Sequence, residues 1–228
     1  MKKLKKRFFV MLYCGAFVLV IAICQLTSNA VTVISETAPI PDRTVIVIDP
    51  GHGGIDGGAT SCTGVLESQT NLEISLKLND ILHLLGYETK MIRTTDTSIH
   101  TEGNTIASQK VSDLKNRVKI INDTDNAILV SIHQNTYPDS KYSGAQVFFA
   151  KTDGSKELAT RMQSALGNRK AKQSKGIYLM DHIQRPGILI ECGFISNPEE
   201  AAKLNDPNYQ NQLCCRIATA LCSQIANT

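Results

Sequence analysis

The stretch VIVIDPGHGG, Val45–Gly54, decides the architecture of this 228-residue chain. A continuous apolar run over 44–49 reads as a strand buried on both faces, as in a parallel sheet covered by helices. It runs into a proline-glycine turn that carries a histidine, His52, where small residues are the rule.

The same alternation continues outward. Residues 67–86 read as a helix with Ile74, Leu78, Ile81 and Leu85 on one stripe and Gly86 as its stop. Strands are expected at 87–94, 127–133, 145–150 and 187–191. Further helices are expected at 111–123, with Val111, Leu114, Val118 and Ile121 as the apolar stripe, and at 155–167. Residues 95–110 read as an exposed polar loop. Asn197-Pro198 and Asp206-Pro207 have the form of a helix cap followed by a first-turn proline. Strands alternating with helices predict an α/β fold: a single domain with a mostly parallel sheet flanked by helices on both faces.

A different segment precedes that domain. Residues 1–7 supply five cations, and the uncharged run 8–24 follows, at the lower length limit for a membrane span. Residues 1–30 fit either a cleaved signal peptide or a retained membrane anchor, 31–43 a polar linker, and 44–226 the functional domain, which is then exported. Without the five leading cations, 19 basic residues face 21 acidic ones. No basic run is left of the kind that binds nucleic acid. The cysteines beyond the leader are Cys62, Cys192, Cys214, Cys215 and Cys222, an odd number with no CxxC spacing, and they read as free buried thiols.

Three apolar strands lead to an unusual polar residue: 44–49 to His52, 127–133 to His133, and 187–191 to Glu191. Ligands of open parallel sheets bind beyond the carboxyl ends of the strands, so the topology should gather these three at one edge. Two histidines and a carboxylate there suggest a catalytic metal with three protein ligands and an open position, and a further carboxylate to move protons. Glu67, at the start of a helix packed beside the first strand, and Glu191 are the candidates for those two roles. The glycine turn is neither a phosphate loop, which needs GxxxxGK[ST], nor a dinucleotide fingerprint, because Asp56 stands at the third glycine position. A nucleophile reading is weak: Cys192 adjoins Glu191 without a histidine partner, and Ser131 lies two residues before His133 on the same strand face. His83 and His100 read as solvated.

The segments 45–59 (VIVIDPGHGGIDGGA), 64–68 (GVLES), 129–135 (LVSIHQN) and 186–197 (PGILIECGFISN) together resemble the zinc-dependent N-acetylmuramoyl-L-alanine amidases, bacterial cell-wall hydrolases. The resemblance spans about 44–226. It implies one zinc ion held by His52, Glu67 and His133, with Glu191 as the catalytic carboxylate. It also implies peptidoglycan as substrate, cut between the muramic acid lactyl group and L-alanine. In character the chain is similar to the germination-specific, sporulation type. That type implies action in the forespore cortex space, upstream of a peptidoglycan deacetylase that forms muramic-δ-lactam. A vegetative autolysin of the same chemistry and a zinc peptidase cutting within the stem are the alternatives. Asn135 and His182 are candidates for substrate contact. The chain has no tryptophan for sugar stacking, so recognition is expected to rest more on the stem peptide and polar contacts, with Tyr137, Tyr142 and Tyr178 as contributors. Asp49 is a candidate to orient a ligand. Residues 168–186 are too few for an inserted blocking helix, so control is expected from expression or an accessory protein.

Overall fold

The computed structural model describes residues 44–225. The expected leader (1–30), its apolar run (8–24) and the linker (31–43) lie outside the described residues. Among the described residues no helix is long and apolar enough to cross a membrane.

Six strands, β1 (Val45–Pro50), β2 (Glu88–Met91), β3 (Ala127–Asn135), β4 (Gln146–Phe149), β5 (Lys172–Gln173) and β6 (Gly187–Phe194), form one sheet in the order β2-β1-β3-β6-β4-β5. The neighbours are parallel except β4, which runs antiparallel to β6. The α/β, mostly parallel architecture is therefore as expected, with β1, β3 and β6 adjacent at its centre.

Alternate residues of a strand face opposite ways, and the two faces bury different helices. Ile46, Ile48, Val130, Ile132 and Ile190 pack with α1 (Glu67–Leu84), α3 (Ser155–Leu166), α5 (Pro198–Leu204) and α6 (Pro207–Ile225). Val47, Leu129 and Leu189 pack with Ile121 of α2 (Ile106–Asn122) and with Leu179 and Met180 of α4 (Tyr178–His182). By the same count Asp49, Ser131, His133 and Glu191 belong to the α2/α4 face.

Several expectations need correction. α1 buries Ile74, Leu78 and Leu82, and Leu85 is 55% exposed because the helix ends at Leu84, where Gly86 turns the chain. α2 begins five residues before the expected start. Ser108 N donates to Thr105 Oγ1 (3.2 Å) and Thr105 N to Ser108 Oγ (3.0 Å), a capping box within the supposed loop. Its buried side carries Ser112, Asp113, Arg117 and Ile121, while Val111 is half exposed. Residues 168–186, read as loop, hold β5 and α4. The caps at Asn197 and Asp206 are present: Asn197 Oδ1 accepts from Glu199 N and Glu200 N, and Asp206 Oδ1 from Asn208 N. The five cysteines are free, but Cys62 and Cys215 are exposed and only Cys192 and Cys214 are fully buried.

Candidate metal centre

The turn after β1 is built by two buried arginines. Arg93 donates from Nε to Pro50 O (2.9 Å) and from Nη2 to Gly51 O and Ser68 O (both 2.9 Å). Arg117 donates from Nη1 to Pro50 O (2.9 Å) and from Nη2 to His52 O (2.7 Å). Three successive carbonyls, 50 to 52, are thereby clamped. Arg117 is itself neutralised by Asp49 Oδ1 and Asp113 Oδ2, each at 2.5 Å, and Ser131 Oγ donates to Asp49 Oδ2 (2.6 Å). Asp49 thus acts on the turn through Arg117. Burial alone would raise the Asp49 carboxyl, but Arg117 and Ser131 outweigh it and hold it below the usual carboxylate range. Burial lowers Arg93 to about 10.

The clamp holds His52 in an unusual backbone. Its φ is +61°, the left-handed region that a residue with a Cβ enters at a cost of about 1–2 kcal/mol. A histidine kept where glycine would be easier marks the side chain as the reason for the position.

That side chain has two partners. His52 Nδ1 donates to Asp56 Oδ2 (2.9 Å), and Nε2 lies 3.3 Å from Glu67 Oε1. Lys110 Nζ pairs with the other Asp56 oxygen at 2.7 Å. Glu67, the first residue of α1, is 4% exposed. Ala59 N donates to its Oε2 (3.0 Å), while Gln134 N (3.2 Å) and Asn71 Nδ2 (3.3 Å) donate to its Oε1. His133 Nδ1 lies 3.0 Å from the same Oε1. One ligand atom each from His52, Glu67 and His133 falls within 4.8 Å of the others, and the two imidazole rings stand edge to face, 5.0 Å apart. Gly58, at φ +68°, leaves the room this needs. A Cβ there would come within 2.6 Å of Glu67 Oε2 and 2.8 Å of His52 Cδ2.

Electrostatics follow the geometry. Burial works against a charged His52, but hydrogen bonds and attraction from Glu67 and Asp56 prevail and raise it to about 9. Burial would raise Glu67, and the two histidines instead hold it far below the usual carboxylate range. Glu191 is opposite: burial dominates and lifts it to about 7, against attraction from His133.

Glu191 stands directly opposite His133 in the β3–β6 ladder, on the same face. Its Oε2 is buried with no hydrogen-bond partner among the described residues. Leaving such an oxygen unmet costs about 1–3 kcal/mol, so it marks a place where a donor from a ligand belongs. The donor set beside it, two imidazoles and a carboxylate, fits a borderline metal such as zinc rather than calcium or magnesium, which take oxygen ligands. A cleft of about 350 Å³ opens on this group, with His52, Asp56, Lys110, His133, Tyr178 and Leu179 in its walls.

The structure thus brings His52, Glu67 and His133 together, with Glu191 on the neighbouring strand. His182 is exposed on α4, its ring stacked on Tyr178 (4.0 Å), which is the residue that reaches the cleft. Asn135 ends β3, its carbonyl taken by Ile195 N. His83 is exposed and meets Thr89 Oγ1 at 2.5 Å, and His100 meets Ser98 Oγ at 2.9 Å; neither lines the cleft. Sequence reasoning missed Asp56, Lys110, Arg93, Asp113 and Arg117. The signal for Arg117 was Asp49: a carboxylate closing an apolar strand needs a buried cation.

Comparison with known proteins follows the same lines. Residues 46–223 match a family model described as N-acetylmuramoyl-L-alanine amidase. The germination-specific N-acetylmuramoyl-L-alanine amidase of Bacillus subtilis is 40% identical over 181 residues, 76% of each chain. The CwlD amidase of Clostridioides difficile, solved in complex with the GerS lipoprotein, is 36% identical with a TM-score of 0.77. The match covers 82% of this chain and all of that one. An N-acetylmuramoyl-L-alanine amidase of Clostridium difficile 630 is 31% identical with a TM-score of 0.72, over 82% and 99% of the two chains.

Proposed function

The chain belongs to the N-acetylmuramoyl-L-alanine amidase family, and on that premise we propose that it is a zinc hydrolase of peptidoglycan in the spore cortex. His52, Glu67 and His133 hold the ion in this reading, and Glu191 moves the proton. A bound zinc supplies Lewis-acid polarisation of the lactyl carbonyl and acidifies a water.

The remaining chemistry belongs to the chain. Asp56 fixes the His52 ring so that Nε2 faces Glu67. Glu191, poised near neutrality by burial, accepts a proton as water oxygen attacks the carbonyl carbon. It returns that proton to the L-alanine nitrogen as the C–N bond breaks. The products are a lactyl carboxylic acid on an intact glycan and a peptide with a free L-alanine amine. The observation that carries this reading is the buried, unpartnered Glu191 Oε2 across the ladder from His133.

The germination-specific relative supports a place in cortex maturation, before a deacetylase acts on the freed muramic acid. The lipoprotein bound to the CwlD amidase supports an accessory protein for this chain too. Export or anchoring through residues 1–30, a linker at 31–43 and catalysis in 44–226 complete the reading.

Spore and vegetative peptidoglycan digested by the full chain, with and without added zinc, test it. Mass spectrometry should find peptides beginning with L-alanine and unbroken glycan. Fragments cut within the stem peptide would overturn it. Glu191→Gln should retain zinc and lose about 10²–10⁴-fold in kcat; an active variant would remove Glu191 from the role.

A further inference from the structure

The same end of the sheet carries a second feature. The segment after β3 presents Tyr137 and Tyr142 at 50% and 40% exposure, the two aromatic side chains among the exposed large hydrophobic residues described. They are not independent. Their rings meet edge to face with centroids 4.6 Å apart. Tyr142 leans on Phe194, 6.1 Å away, and the Arg169 guanidinium lies 5.4 Å from the Phe194 centroid.

The backbone beneath the pair is fixed. Tyr137 N donates to Ser196 Oγ (3.0 Å), Arg169 Nη2 to Ser143 O (2.7 Å), and Gly144 N to the Glu200 carboxylate (2.9 Å). Asn197, the cap of α5, donates to Tyr142 O (3.4 Å). Two exposed rings on so well-tied a segment form a preorganised surface, not a frayed loop tip.

Its position relates it to the metal group. Tyr137 follows His133 by four residues, and Phe194 follows Glu191 by three. Asn135 and Phe194 pair across β3 and β6. Four residues of extended chain span at most about 14 Å, so the pair starts within that distance of His133. Neither tyrosine lines the cleft that holds Lys110 and Tyr178.

We propose that Tyr137 and Tyr142 form a stacking platform for the glycan strand of the substrate, holding a sugar ring near the muramic acid being cut. The proposal rests on the amidase reading above. A tyrosine face suits the C–H face of a pyranose, and its hydroxyl suits the sugar's polar rim. Beside the pair, Lys141 Nζ binds Asp139 (2.7 Å) and lies over the Tyr142 ring, 5.7 Å from its centroid, and Arg169 donates to Ser143 O; the acidic stem peptide is the competing occupant, and binding of peptide-free glycan separates the two.

The experiment is equilibrium binding of the full chain carrying Glu191→Gln to peptide-free glycan strands. Adding Tyr137→Ala or Tyr142→Ala should weaken binding about tenfold, the order of one lost aromatic contact. Tyr137→Phe and Tyr142→Phe should retain most of it. Zinc content and thermal midpoint should match the parent in all four. Unchanged glycan binding in the alanine variants would overturn the platform, as it would if the pair served a protein partner. A loss confined to peptide-bearing sacculi, or one tracking loss of zinc, would overturn it as well. Cleavage by the chain with Glu191 intact, scored separately on sacculi, reports on the amidase reading alone.

Discussion

Replacing Arg117 by methionine tests the buried scaffold beneath the turn. Arg117 is 2% exposed and donates to Asp49, Asp113, Pro50 O and His52 O. Methionine keeps most of the stem's volume and removes the cation. Asp49, 1% exposed, would keep only the Ser131 hydroxyl. Pro50 O would still have Arg93 Nε, whereas His52 O would lose its donor. Breaking a buried ion pair from one side costs about 3–5 kcal/mol, most of it the stranded charge. An expected loss of about 4 kcal/mol is a large share of the 5–15 kcal/mol typical of a domain. It corresponds to roughly 8–16 °C in Tm for a domain of this size.

Urea unfolding at pH 7 measures the loss, and its pH dependence identifies the cause. With Arg117 present, Asp49 is depressed below its unfolded value of 3.8. Its contribution is complete above that value and disappears as pH falls through the folded pKa. Without Arg117, burial is opposed only by the Ser131 hydroxyl and attraction from His133, so Asp49 rises and the carboxylate takes up a proton on mild acidification. The penalty of Arg117→Met should therefore be greatest at neutral pH and shrink toward pH 5, and Asp49→Asn in the same chain should recover most of it. A penalty below about 1 kcal/mol at pH 7, or one that does not change with pH, would refute a dry, charge-balanced network.

Two further outcomes concern the metal group. Asp56→Asn keeps the shape of the side chain but not its charge, so His52 loses the carboxylate that fixes its ring. Zinc affinity by chelator competition should fall about 10–100-fold, and an unchanged affinity would count against the pairing. His52 titrates near 9, above its ordinary 6.5, because Glu67 and Asp56 outweigh burial; the ring thus holds a proton at pH 7 that an incoming ion must displace. Zinc binding should release about one proton from this group, with affinity rising with pH and levelling above about 9. Calorimetry in buffers of different ionisation enthalpy should show the difference, and identical enthalpies would contradict it.

The central sheet and the position of the site were legible because they rest on strong, local signals. Apolar runs at 44–49, 127–133 and 187–191, short and rich in β-branched residues, read as buried strands, and parallel pairing then brings their polar followers to one edge. Register made this specific, setting His133 opposite Glu191. Two parts were not legible. β4 runs antiparallel, and a strand four residues long carries no sign of its direction. α2 turns a polar side inward. A periodicity count follows apolar residues and so selected Val111, Leu114 and Val118, whereas the buried side carries Asp113 and Arg117. The helix packs there against carbonyls that need donors, and a guanidinium meets that need better than any alkyl group.

Two residues of the site violate the rules by which the rest of the chain folds. A glycine at 52 would relieve left-handed strain of about 1–2 kcal/mol, and an apolar residue at 191 would remove an unmet buried oxygen. Each relief would delete a group on which the proposed chemistry depends: an imidazole ligand in one case, the proton-moving carboxylate in the other. The surrounding structure bears both costs. Arg93 and Arg117 hold the strained turn, and the β3–β6 ladder holds Glu191 in place. Local conflict with folding at two positions, each over-determined by its neighbours, is what a site kept for chemistry rather than stability should look like. It also explains why the histidine in the glycine turn was a better guide to function than any of the residues that follow the rules.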